Sequence, residues 1–139
     1  MAAGFLTSFV IYDVLQNFYD KETLEKQFDC ENCFAGPIEK ILTANVLLID
    51  GKWIKLSLID TLEKEHSVYN ESILFTARIC KIGENAVVEL DKWQFYDRSA
   101  RNVAQVTCSG KILNEELLVA GHATISKDLC AESIFSKTD

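Results

Sequence analysis

Trp93, Phe95 and Tyr96 stand just ahead of Arg98 and Arg101, an aromatic cluster followed by two cations. Such a set can stack a nucleotide base on an aromatic face and grip its phosphate with guanidinium groups. The same residues also suit a core or dimer interface beside a solvated loop, since aromatic side chains favour strands and interfaces. Trp93, Arg98 and Arg101 are therefore the candidate ligand-binding residues. Cys30-Glu31-Asn32-Cys33 has the spacing of a zinc or redox pair. There is no second pair, and a metal would have to recruit His66 and His122 from separate strands, so a loop with two ordinary thiols is expected, with no metal and no other cofactor. His122 lies between Gly121 and Ala123, and His66 follows Glu63-Lys64-Glu65. Either imidazole can act as a general base, but no nucleophile stands at a predictable spacing from it.

The elements that must position these groups follow from periodicity. From Phe5 to Tyr19 the polar positions Ser8, Tyr12, Asp13, Gln16 and Asn17 recur at helical spacing opposite Leu6, Phe9, Val10, Val14, Leu15 and Phe18, so an amphipathic helix is expected. Asp20 caps a second short helix from Lys21 to Phe28, and a loop containing Gly36-Pro37 ends the helical part. After Pro37 the pattern is that of strands. Ile38 to Ile49 is rich in β-branched and aliphatic residues, Asp50-Gly51 is a two-residue hairpin turn, and Ile54, Leu56 and Leu58 alternate with polar neighbours. Ile73, Phe75, Ala77 and Ile79 suggest a third strand. Gly83-Glu84-Asn85 turns into a fourth, with Ala86, Val88 and Leu90 on one face, and a bulge beyond Asp91-Lys92 moves the apolar face to Trp93 and Phe95. Ala104, Val106 and Cys108 mark a fifth strand, and Leu117, Val119, Gly121, Ala123 and Ile125 a sixth.

A chain of 139 residues with 48% hydrophobic composition makes one domain with a full core of its own. The formal net charge of −7 and the scattered basic residues argue against a nucleic-acid partner, whose affinity comes largely from clustered Lys and Arg. The N-terminus lacks a basic region ahead of its apolar run, nothing approaches membrane-spanning length, and five cysteines at irregular spacing suit a reducing compartment. The expected location is intracellular, cytoplasmic or mitochondrial.

Lys81-Ile-Gly-Glu84, Leu118-Val-Ala-Gly-His-Ala-Thr124 and the hairpin residues Lys40-Ile41, Gly51-Lys52 and Glu65-His66 together resemble hotdog-fold acyl-CoA thioesterases, over about two thirds of the chain. The resemblance implies an α+β fold in which one or more N-terminal helices pack on a curved six-stranded antiparallel sheet. It implies residues 1–36 as a helical segment, 37–127 as the sheet and 128–139 as a tail, all in a single domain. It also implies hydrolysis of an acyl thioester to the free acid and CoA, with the alternative of a non-catalytic module that binds an acyl ligand or a protein partner. Whether the chain is an enzyme is left open, because Asn70-Glu71-Ser72 occupies the place of the family's His-Gly-Gly-type loop and central helix. The candidate catalytic residues are then Asn70, which corresponds to a polar Asn before the missing loop, His66, and Asp13, if the N-terminal helix takes the central position. Otherwise Asp13 is an exposed residue on the polar face of its helix. Homo-oligomerisation is expected, through a sheet edge or the sheet's helix-covered face, since an open sheet leaves edges that pairing would satisfy.

Overall fold

The computed structural model describes residues 32–62 and 64–126. The expected N-terminal helices, Asp13 among them, and the tail lie outside the described residues. The first strand, β1 (Cys33–Thr43), begins ahead of Pro37 and is followed by β2 (Val46–Ile49), β3 (Lys52–Leu56) and β4 (Ile59–Thr61). Helix α1 (Tyr69–Ile79) comes next, then β5 (Asn85–Leu90), β6 (Asn102–Cys108), β7 (Lys111–Ile112), helix α2 (Leu113–Val119) and β8 (Ala123–Ile125).

Asp50 and Gly51 have φ of 50° and 76°, and Ile49 pairs with Lys52 across them. This is the tight hairpin that the Asp-Gly pair demands, since both turn positions need a left-handed backbone. The turn folds back onto β1, where the Asp50 amide donates to the Pro37 carbonyl at 3.0 Å. Any Cβ at Gly36 would collide with the Asp50 side chain, so glycine is required there for close approach rather than for its dihedral angles. Ala44 and Asn45 break the long apolar run Ile38–Ile49 into β1 and β2, which pair antiparallel. The Asn45 side chain locks that corner by donating to the Ile59 carbonyl at 2.9 Å and accepting from Thr43 Oγ1.

The sheet runs β3-β2-β1-β5-β6-β7, and β6 also pairs in parallel with β3, Lys55 opposite Val103. Five strands, β1, β2, β3, β6 and β5, therefore close into a barrel. Its interior is filled by Leu47, Ile49, Ile54, Leu56, Val88, Ala104 and Val106, all at most 1% exposed. The faces expected for β5 and β6 are the ones that point inward. Closure corrects the expected architecture. A curved open sheet needs a helix to cover its concave side, whereas this sheet covers itself by pairing β3 with β6.

Two expected strands are helices. In α1 the buried positions are Ser72 and Thr76, one turn apart, and their hydroxyls donate to the carbonyls of Tyr69 (2.6 Å) and Ala44 (2.8 Å). The second of these bonds ties the helix to the β1–β2 corner. In α2, Leu113 and Leu117 are fully buried one turn apart, and Val119, expected inside, is 87% exposed. Gly121 (φ 77°) ends this helix. Its amide donates to the Leu118 carbonyl at 3.1 Å, and the His122 amide reaches the Leu117 carbonyl at 2.9 Å, the paired bonds of a Schellman cap. The apparent sixth strand is thus a helix, its glycine cap and the three-residue β8, which pairs with β4.

Cys80 and Cys108, expected as free thiols in a reducing compartment, are joined in a disulfide with Cα atoms 5.3 Å apart. Cys33, expected as one of two ordinary thiols, is disulfide-bonded as well. No helix among the described residues is long and apolar enough to cross a membrane.

Candidate functional site

The parallel pairing of β3 with β6 brings together residues that are distant in sequence. Lys55 leaves the outer face of β3 opposite Val103, so it stands beside the start of β6 and the loop that precedes it. Asp60 lies on β4 opposite Thr124, and the Ser126 amide donates to the Leu58 carbonyl at 2.8 Å, which draws the end of β8 into the same place. The result is a polar cleft of about 340 Å³ whose charged lining is Lys55, Asp60, Asp97, Arg98 and Arg101.

The loop from Asp91 to Arg101 is pinned at both ends. At its base, buried Asp91 accepts from Ser57 Oγ at 2.9 Å and from the Trp93 amide at 3.1 Å, while the Asp91 amide donates to the Val103 carbonyl. At its tip, the Asp97 carboxylate accepts from the amides of Ser99 (2.8 Å) and Arg101 (2.9 Å) and from Arg101 Nε (2.7 Å). Burial alone would push the Asp97 carboxyl up, but the Arg101 amide and guanidinium and the Ser99 amide outweigh it and hold it below the usual aspartate range. Ala100, at φ 59°, lets the chain turn back.

Asp97 thereby engages Arg101, which is partly exposed. Among the described residues, Lys55, Arg98 and Asp60 have no ion-pair partner and no side-chain hydrogen bond, so their charges face the cleft. Two free cations beside one free carboxylate can bind a phosphodiester and place a carboxylate next to it. The loop's aromatics are not core residues. Trp93 is 49%, Phe95 41% and Tyr96 64% exposed, and Trp53 shares the outer face of β3 with Lys55.

Of the sequence-derived candidates, Arg98 and Arg101 line this cleft, and Trp93 lies on the same loop. His66 and Asn70 are exposed on the other connection, where His66 Nδ1 accepts the Val68 amide at 3.1 Å and the His66 carbonyl accepts the Tyr69 amide at the start of α1. They do not line the cleft. Among the described residues no three of His, Cys, Asp and Glu gather as a metal site. Lys55 and Asp60 escaped sequence reasoning, because they reach the cleft through non-local pairings, β3 with β6 and β4 with β8.

A small closed barrel with a charged cleft at the mouth of its parallel strand pair is the class of protein these features define. The family model of the staphylococcal nuclease homologues matches residues 53–137, and the chain belongs to that family. No curated protein matches the sequence. Family membership overturns the likeness to hotdog acyl-CoA thioesterases, the thioester-hydrolase activity and acyl-ligand binding expected from it, and the expectation that nucleic acid is no partner. Net charge averages over the surface, whereas binding depends on local charge, so a net −7 does not decide against such a partner. A chain of net −7 still assembles Lys55, Arg98 and Arg101 in one cleft.

Proposed function

We propose that this domain binds a single strand of nucleic acid across the cleft at the β3–β6 junction, with Lys55, Arg98 and Arg101 on the phosphates and Trp93 as a stacking surface for a base. Small five-stranded barrels of this kind present strand faces and adjoining loops to oligonucleotides. The observation that carries the reading is the convergence of Lys55 and Arg98, neither of them ion-paired among the described residues, beside the exposed aromatics of one pinned loop. A second reading, phosphodiester hydrolysis, is favoured by Asp60. It is an exposed carboxylate in the same cleft and is suited to activating water against a phosphate held by the cations.

The test is fluorescence anisotropy of a labelled single-stranded oligonucleotide, with DNA and RNA versions, across a salt series. Binding should weaken log-linearly with salt, and Lys55→Ala with Arg98→Ala should weaken it by about 10-fold or more and flatten the salt slope. Salt-independent binding, or none at low salt, overturns the proposal. Incubating the same oligonucleotide with the parent and Asp60→Asn proteins decides the second reading, which requires cleavage by the parent that the variant loses.

A further inference from the structure

A second charged cleft lies at the opposite end of β6. That strand starts beside the first cleft at Asn102 and ends at Cys108, where the Ser109-Gly110 turn leads into β7. Between this turn, the last turn of α1 and the flank of α2 is a cavity of about 490 Å³, lined by Phe75, Arg78, Lys81, Ser109, Lys111 and Glu116. The size is within the range of small-molecule sites.

The lining carries three cations against one carboxylate, in a chain whose net charge is −7. Arg78, Lys81 and Lys111 are all exposed, and none is ion-paired among the described residues. Three like charges around one cavity repel each other, and an anion between them removes the repulsion. The cations are also mounted on a fixed frame. Lys81 directly follows Cys80 and Ser109 directly follows Cys108, so the disulfide ties the two walls together next to the residues that face the cavity. Phe75 supplies an apolar wall. Its ring packs against that of His122 at a centroid distance of 4.8 Å and still lines the cleft. Cations together with a hydroxyl donor suit a phosphate, and an aromatic wall beside them suits a base.

We propose that this cleft is a second ligand site that takes a nucleoside phosphate, with the phosphate on Arg78, Lys81, Lys111 and the Ser109 hydroxyl and the base against Phe75. The occupant is a free nucleotide or the phosphorylated end of a strand, two sources of one chemistry. The site uses none of the residues of the first cleft and stands without it.

The test is amide chemical-shift titration of the isotope-labelled protein with a nucleoside monophosphate, inorganic phosphate, the uncharged nucleoside and a 5′-phosphorylated oligonucleotide. The monophosphate is expected to give saturable shifts at Ser109, Gly110 and Lys111, about 10-fold tighter than inorganic phosphate, and the uncharged nucleoside none. If only the oligonucleotide saturates those amides, the strand end is the source and the site stands. The double variant Lys81→Glu, Lys111→Glu should lose the shifts yet keep its thermal midpoint and its response to oligonucleotide at Arg98 to Arg101. If the double variant does not fold, Arg78→Ala alone should weaken the monophosphate severalfold. The proposal is overturned if neither phosphorylated probe gives saturable shifts at those amides, if inorganic phosphate binds as tightly as the nucleotide, or if the shifts survive charge reversal. Loss of the Arg98 to Arg101 response in the parent would count against the first cleft alone.

Discussion

Arg101 Nε donates to Asp97 Oδ2 at 2.7 Å, while the Arg101 amide donates to the other oxygen of the same carboxylate at 2.9 Å. One aspartate therefore fixes both the backbone and the side chain of the residue that closes the loop. Arg98, between them, is carried into the cleft by a turn that it does not itself stabilise.

Asp97→Asn should expose that dependence through pH. The Asp97 carboxyl is held below its unfolded value, so the native state favours its ionised form, and the stabilisation is fully present above the ordinary aspartate range. It is lost as pH falls through that range to the lower native value. The variant should be less stable than the parent by about 1 kcal/mol near neutrality, the scale of one charge-assisted hydrogen bond at a partly exposed site. The gap should close in acid. Thermal midpoints of both proteins across pH check this, and a gap that persists at the acid end would contradict it. Oligonucleotide affinity should fall severalfold as well, because Arg98 loses its frame.

Glu89 predicts the opposite sign. It lies on β5 between Cys33 and Gln105 of the neighbouring strands, and burial pushes its carboxyl above the usual range. The native state then holds the proton more tightly than the unfolded chain. The associated stability is present below the ordinary glutamate range and is lost as pH rises through the raised value. Glu89→Gln removes the cost of burying the charge, so it should raise the neutral-pH thermal midpoint by roughly a degree or two and change little in acid.

The Cys80–Cys108 disulfide should contribute substantially to stability. It joins the cap of α1 to the end of β6 across a sequence separation of 28. Constraining a loop of that size in the unfolded chain is worth about 3–4 kcal/mol on the loop-entropy model. The double variant Cys80→Ala, Cys108→Ala should lower the urea midpoint accordingly, and reductant should lower the parent's midpoint by more than the variant's, which keeps the bond at Cys33. An unchanged parent midpoint in reductant would show that the bond carries no such load.

Where a residue type forces a local geometry, the sequence was readable. Asp50-Gly51 must turn, and Ala104, Val106 and Cys108 alternate because a strand has a period of two. Helix α1 misled because Ile73, Phe75, Ala77 and Ile79 also alternate, while the line that faces the core is marked by Ser72 and Thr76, whose hydroxyls are satisfied by carbonyls and carry no hydropathy signal. Helix α2 is short, and its glycine cap reads equally well as a break within a strand. Barrel closure rests on the parallel pairing of β3 with β6, for which no local pattern exists. For the same reason half the cleft stayed hidden. Arg98 and Arg101 are visible as cations beside aromatics, whereas Lys55 joins them only once the barrel closes and Asp60 only once β4 pairs with β8.

Asn114 shows how much of that closure depends on one buried amide. Its Oδ1 accepts the Val106 amide at 3.1 Å, and its Nδ2 donates to the carbonyls of Ser57 (3.1 Å) and Ala104 (3.3 Å), so it bridges the chain leaving β3 to β6. Asn114→Ala leaves the Val106 amide without this acceptor and should cost about 2–3 kcal/mol. Asn114→Asp keeps the shape but points a carboxylate at two carbonyl oxygens, so at neutral pH it should be at least as destabilising as alanine. In acid the protonated carboxyl regains one donor, and the aspartate variant should recover relative to the alanine variant. Urea midpoints of the two variants at neutral and acidic pH make the comparison. Ser57, whose carbonyl Asn114 holds, also donates from its hydroxyl to Asp91 at the base of the cleft loop. Either variant should therefore weaken oligonucleotide binding even where the barrel remains folded, and binding that survives intact would separate the cleft from the strand junction beneath it.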